Sequence, residues 1–213
     1  MKQAFFCIFL TVSTFFSSAE FITRVACLGD SITYGAAIRD RAANCYPKVL
    51  GGLLGPKYSV RNFGVNGATL LKKGDKPYWK LNAFEEATKF VPNIVIVKLG
   101  TNDTKPQNWD KSGEDYESDL LAMINHFHKL PSKPSIYLCL PVPVYQSRWG
   151  INERTVTMSV IPVIRKVAKD TKLTVIDLYT ALSGKPEMFP DKIHPNAAGA
   201  RVIAKTIFSI IKI

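Results

Sequence analysis

Asn93-Ile94-Val95-Ile96-Val97-Lys98-Leu99 runs straight into Gly100-Thr101-Asn102-Asp103. The first seven residues are apolar nearly throughout and rich in β-branched side chains. A strand with one wet face alternates polar and apolar residues, so this one is covered on both faces, as in a parallel sheet flanked by helices. Working outward, residues 22–28 and 58–63 read as strands upstream, and 135–140 and 173–178 as strands downstream. Helical patterns fill the intervals. Residues 47–54 form one that Gly55 ends, 79–90 are amphipathic, and 114–130 place Leu120, Ile124 and Phe127 on one face. A further helix is marked by Val156, Val160, Val163, Ile164 and Val167, with Pro162 as a kink or new start. The last runs from Pro195 to the C-terminus, with proline in its first turn. Five strands separated by helices predict a three-layer α/β/α sandwich around a five-stranded parallel sheet, doubly wound. In such sheets the site lies beyond the carboxyl ends of the strands.

Composition agrees with one folded domain. Hydrophobic residues make up 46 % of the 213-residue chain and charged residues 21 %, which excludes a disordered chain. The net charge of +11 comes from 28 Lys and Arg against 17 Asp and Glu. These basic residues are scattered singly or in pairs such as Lys72-Lys73 and Arg165-Lys166, without interleaved aromatics, and read as a solvated basic surface rather than a nucleic-acid groove. At the N-terminus, Met1-Lys2 precedes an apolar run over 4–16 and then Ser17-Ser18-Ala19. That pattern describes a secretory signal peptide cleaved after Ala19, too short for a stable membrane span, and predicts a secreted or periplasmic domain over 20–213. Cys27, Cys45 and Cys139 then remain, an odd number, so at least one thiol is unpaired or bonds outside the chain. No C-x-x-C and no Cys/His cluster at metal spacing occurs, so no metal and no cofactor is expected.

The loops after the strands carry the chemistry. Gly29-Asp30-Ser31-Ile32 places a serine at the opening of a helix, where free N–H groups and the dipole favour developing negative charge. An ordinary Asp or Ser cap is the competing explanation. A serine hydroxyl needs a base in contact with it. Asp191-Lys192-Ile193-His194-Pro195 offers one, with Asp191 placed to reach Nδ1 of His194 while Nε2 faces Ser31. Asp177, at the end of the fifth strand, ranks second as the acid. Asn62-Phe63-Gly64-Val65-Asn66-Gly67 and the block at 100–103 add an Asn102 side-chain amide and a Gly67 N–H to the N–H of Ser31, three donors for one oxygen. Taken singly, each of these segments is also an acceptable turn. Asp30 and Asp103 are expected to bond within their own loops, and His126 and His128 to lie on the surface.

Taken together and in this order, GDSI at 29–32, the glycine block ending at Gly67, GTND at 100–103 and DxxHP at 191–195 resemble the SGNH subgroup of the GDSL hydrolase family. The resemblance covers essentially the whole chain after the leader. It implies a flavodoxin-like SGNH hydrolase fold and ester hydrolysis, with Ser31 as nucleophile, Asp191 and His194 completing a triad, and Ser31, Gly67 and Asn102 forming the oxyanion hole. Residues 62–109 look most like carbohydrate O-acetylesterases of the sialate type, which implies a small-molecule or glycan acetyl ester as substrate. Trp79, Trp109, Trp149, Tyr34 and Tyr145 are candidate sugar-packing faces near the site loops, with burial of some of them in the core as the competing reading. The alternatives are a lysophospholipase or thioesterase with a long acyl groove, against which the loop at 141–152 is short and mixed, and a non-catalytic carbohydrate-binding module, which has no need of Ser31, Asp191 and His194 together.

Overall fold

The computed structural model describes residues 21–211, so the signal-peptide reading at 1–19 falls outside the described residues. Strands β1 (Thr23–Gly29), β2 (Tyr58–Gly64), β3 (Ile94–Lys98), β4 (Ser135–Cys139) and β5 (Thr174–Ile176) form one sheet in the order β2-β1-β3-β4-β5. Every pairing is parallel. All five residues of β3 are buried.

Alternation along the strands divides the core in two. Ala26, Leu28, Val95, Val97, Ile136 and Leu138 point to one face, where they meet Ala87, Leu120, Phe127 and Ile164 from the helices Asn82–Lys89, Tyr116–His128 and Ile161–Thr171. Val25, Cys27, Ile94, Ile96, Cys139 and Ile176 point to the other, against Leu50, Ile203 and Ile207 of the helices Tyr46–Leu54 and Ala197–Ile211. Cys27, Cys45 and Cys139 are all unpaired and buried. Among the described residues no helix is long and apolar enough to cross a membrane.

Of the two readings of Pro162 the structure has the new start, while the last helix begins later than expected. Pro162 lies in the first turn of the helix Ile161–Thr171, and the turn before it, Val156–Val160, is a π-helix. Proline has no N–H to close an ordinary turn, and the wider one absorbs that gap. The last helix begins at Ala197, after Pro195, because the Asn196 Oδ1 accepts from the amides of Ala198 and Gly199 and serves as its cap. The amphipathic stretch 79–90 also divides, into a 3₁₀ turn Tyr78–Lys80 and the helix Asn82–Lys89.

The chain winds one way from β1 to β2 and the other way from β3 to β5, so the switch point falls between β1 and β3. Ser31 follows β1 and Asn102 follows β3. Close approach of backbone sets this corner. In register, Gly29 pairs with both Gly64 and Lys98. A Cβ on Gly64 would stand 2.2 Å from the Tyr34 nitrogen and 2.9 Å from the Asp30 carbonyl oxygen. Gly64→Ala therefore displaces the turn that carries Ser31, and urea unfolding is expected to show a loss of about 1–3 kcal/mol.

Candidate active site

Ser31 is the first residue of a single helical turn, Ser31–Tyr34, closed by Gly35 at φ 93°. The expected helix dipole is thus that of one turn only. Orientation comes instead from Asp30, whose Oδ1 accepts the Ile32 amide at 2.9 Å. Asp30 also reaches out of its loop. The ammonium of Lys98, fully buried in β3, donates to both Asp30 oxygens at 3.2 and 3.1 Å and to Thr101 Oγ1 at 3.1 Å. Sequence reading treated Lys98 as one residue of an apolar strand, and its isolation in that run was the available signal.

His194 arrives on a tight turn. Lys192 adopts φ 70°, and the neighbouring Ile193 is buried with Val144, Ile151 and Val156, which anchors the turn. The His194 Nε2 lies 2.7 Å from Ser31 Oγ, and its Nδ1 lies 2.7 Å from Asp191 Oδ2. Asp191 Oδ1 accepts the amides of Ile193 and His194 at 3.0 and 2.7 Å. Partial burial pushes the Asp191 carboxyl up, but the His194 amide and ring together with the Ile193 amide outweigh it and hold the group below the usual carboxylate range. The other expected acid, Asp177, is occupied elsewhere. It caps the helix Leu178–Leu182 through the Thr180 amide and pairs with Arg165.

Asn102 donates through Nδ2 to the Ala68 carbonyl at 3.1 Å, which orients its amide and leaves its second N–H. Neither the Ser31 nor the Gly67 amide N–H has a hydrogen-bond partner among the described residues. Ser31, Gly67, Asn102, Lys105, Trp149 and His194 line one cavity of about 240 Å³. Larger hollows of about 620 and 480 Å³ lie along the β2 edge, and neither is bordered by any of these residues. Among the described residues no group of three or more His, Cys, Asp or Glu side chains is disposed to hold a metal ion.

Asp103 corrects a further expectation. Rather than bonding within its own loop, it crosses to the loop after β2 and accepts the Leu70 and Leu71 amides at 3.1 and 2.8 Å. Complete burial lifts its carboxyl to about 7, against the opposing pull of the Leu71 and Leu70 amides. Four of the five aromatic candidates also lie apart from the cavity. Trp79 donates to the Leu70 carbonyl and packs on Phe84, Trp109 packs on Tyr116, Tyr34 lies under the Arg41 guanidinium, and Tyr145 donates to the Leu182 carbonyl and packs on Phe189. Trp149 alone of the five lines it. His126 is half-buried against Phe84 with Nε2 2.9 Å from Thr88 Oγ1, and burial lowers its pKa; His128 is exposed as expected.

Comparison with known proteins fits this arrangement. Residues 27–202 match the model of the GDSL-like lipase/acylhydrolase family, and the chain belongs to that family. It is 40% identical over 207 residues to an acetylxylan esterase of Xylanibacter ruminicola, covering 89% of this chain and 43% of that protein. It is 26% identical to a multidomain esterase of Ruminococcus flavefaciens, covering 89% of this chain and 28% of that one. The chain thus spans less than half the length of these relatives. Among solved structures, an aryl esterase of M. smegmatis superposes with a TM-score of 0.70 at 20% identity, covering 89% of this chain and all (100%) of that one. An acetylxylan esterase of Geobacillus stearothermophilus gives 0.68 at 21% identity, over 91% and 97% of the two chains. These two likenesses are of fold.

Two outcomes follow from the buried carboxylates. Lys98→Met leaves the Asp30 charge buried without its partner, at a cost of about 3–5 kcal/mol in a denaturant titration; a variant as stable as wild type would show the pair to be dispensable. Asp103 binds its proton more tightly folded than unfolded. Its contribution to stability is therefore fully present below about pH 4 and is lost as pH rises through about 7. The melting temperature of wild type minus that of Asp103→Asn is expected to fall across that window, and a flat or rising difference would contradict it.

Proposed function

We propose that this domain removes acetyl groups from carbohydrate esters through an acyl-enzyme on Ser31. The observation that carries the reading is the unbroken series Ser31 Oγ, His194 Nε2, His194 Nδ1, Asp191 Oδ2, with 2.7 Å at each of its two hydrogen bonds. His194 takes the Ser31 proton as Oγ attacks the ester carbonyl carbon, and Asp191 stabilises the imidazolium that forms. The carbonyl oxygen becomes negative and is received by the amides of Ser31 and Gly67 and by the second N–H of Asn102. His194 then gives that proton to the departing sugar oxygen, which leaves as the free hydroxyl. A water, deprotonated by the same imidazole, cleaves the acetyl-serine and restores the starting state.

Support for an acetyl ester on a sugar comes from two sides. The relative that is 40% identical to this chain over 207 residues carries the name acetylxylan esterase. The cavity at Ser31 is lined by Asn66, Asn102 and Lys105 beside the two aliphatic side chains of Ala36 and Ile151, and this mixed lining offers a long acyl chain no continuous apolar groove, which disfavours the lysophospholipase alternative. A binding module would not require a serine, an imidazole and a carboxylate in series. Export follows from the leader reading at 1–19 and fits a polymeric substrate that does not enter cells.

Ser31→Ala and His194→Ala are each expected to lower kcat by on the order of 10⁴-fold or more on 4-nitrophenyl acetate, with unchanged circular dichroism. Retention of a tenth of the wild-type rate by Ser31→Ala would overturn the nucleophile assignment. Asn102→Ala removes a donor that strengthens only as charge develops, so it lowers kcat by about 10²–10³ with little change in KM; a rise in KM alone would make Asn102 a substrate-binding residue instead. Asp191 is held below the usual carboxylate range, so it is ionised at neutral pH and available to the imidazolium that forms during attack. Wild-type rates on acetyl, butyryl and octanoyl esters fall in that order.

A further inference from the structure

Arg148-Trp149-Gly150-Ile151 forms a two-residue turn at the cavity mouth. The Arg148 amide donates to the Ile151 carbonyl at 3.2 Å, and the Ile151 amide donates back at 2.9 Å. Both central residues have positive φ, 53° at Trp149 and 83° at Gly150. Turns with this sign at both positions take Asn-Gly or Gly-Gly, because an L residue with a bulky side chain is strained there. This turn is held in place all the same. Asn152, directly after it, donates its amide to Thr104 Oγ1 at 3.3 Å and its side-chain N–H to the Thr104 carbonyl at 3.0 Å, which ties the turn to the loop bearing Asn102.

The side chain so placed is not used for packing. Trp149 is 54% exposed although it borders the cavity of Ser31 and His194, and its ring centroid is 5.7 Å from that of His194. The Arg148 guanidinium lies 4.5 Å from the ring centroid and steadies the indole from one side. A strained backbone that presents a large aromatic surface to solvent beside a reactive base is an outlier that points to function. Apolar C–H faces of a pyranose ring match a flat indole, and the distance to His194 places such a ring where its ester substituent reaches Ser31.

We infer that Trp149 is the platform on which the sugar ring carrying the ester stacks, so that it determines preference for pyranoside esters over small aryl esters. The inference rests on the carbohydrate acetylesterase reading above and adds to it the residue that recognises the sugar. Trp149→Asn supplies Asn-Gly, a pair favoured in this turn, so the variant is expected to fold with a melting temperature equal to or above that of wild type. Its kcat/KM on acetylated xylo-oligosaccharide, divided by its kcat/KM on 4-nitrophenyl acetate, is expected to fall at least tenfold, chiefly through KM on the sugar ester. If Trp149 only packs against His194, both substrates suffer alike and the ratio holds, which would overturn the inference.

A second measurement separates this outcome from failure of the underlying reading. Unesterified xylotetraose is titrated into Ser31→Ala and into Ser31→Ala with Trp149→Asn, followed by isothermal titration calorimetry. Saturable binding in the first and at least tenfold weaker binding in the second support the platform. Equal affinity, or no binding in either, overturns it. Wild type that binds xylotetraose through Trp149 but does not hydrolyse the acetylated oligosaccharide would leave the platform standing and remove the acetylesterase reading.

Discussion

A lysine ammonium and an aspartate carboxylate, both without any exposure to solvent, meet directly beneath the serine turn. Neither charge is tolerable there alone, since an unpaired buried ion costs several kcal/mol. Lys98 therefore needs Asp30 at this height in the sheet, and Asp30 needs Lys98. The carboxylate in turn holds the Ile32 amide, and the ammonium holds Thr101 one residue before Asn102. One ion pair thus fixes the ends of β1 and β3 relative to each other, across the point where the winding of the sheet reverses. Serine and asparagine lie on the two loops it joins, and His194 must be brought to a site whose floor is already set.

A second buried carboxylate performs the corresponding task on the other side. Asp103 gathers the Leu70 and Leu71 amides, and Asn102 binds the Ala68 carbonyl, so the loop carrying Gly67 is stitched to the loop after β3 at three points. The donors proposed for the developing oxyanion thereby belong to segments that cannot shift independently. Preorganisation of this kind is where much of an ester hydrolase's electrostatic advantage originates.

Much of this was legible in the amino-acid sequence, and the parts that were not have a common cause. The strands announce themselves because NIVIVKL and its counterparts are covered on both faces, and the Asp191–His194 spacing is local enough to be read as a hydrogen-bonded pair. Lys98 with Asp30 is different: the partners are 68 positions apart, and no local pattern states that a lone lysine in an apolar strand has a carboxylate waiting. Asp103 failed for the same reason, its partners lying on another loop. Trp79 and Trp109 were misplaced because proximity in sequence to a site loop says nothing about which way an indole turns. Trp79 turns toward Phe84 and Trp109 toward Tyr116.

The three unpaired thiols carry a consequence for how the molecule meets its surroundings. Cys27, Cys45 and Cys139 are buried on the same side of the sheet, and burial pushes the Cys27 and Cys139 thiols well above the ordinary range for cysteine. While the fold is closed, Cys27 and Cys139 are held protonated and all three sulfurs are out of reach of oxidants. During folding in an oxidising compartment they are open to one another and to other chains, and any bridge formed then locks the two sulfurs outside the core they must fill. Such a protein is safest when its sheet closes faster than thiols are oxidised, and afterwards the same thiols keep a chemical record: a label on any one of them marks a molecule that has opened.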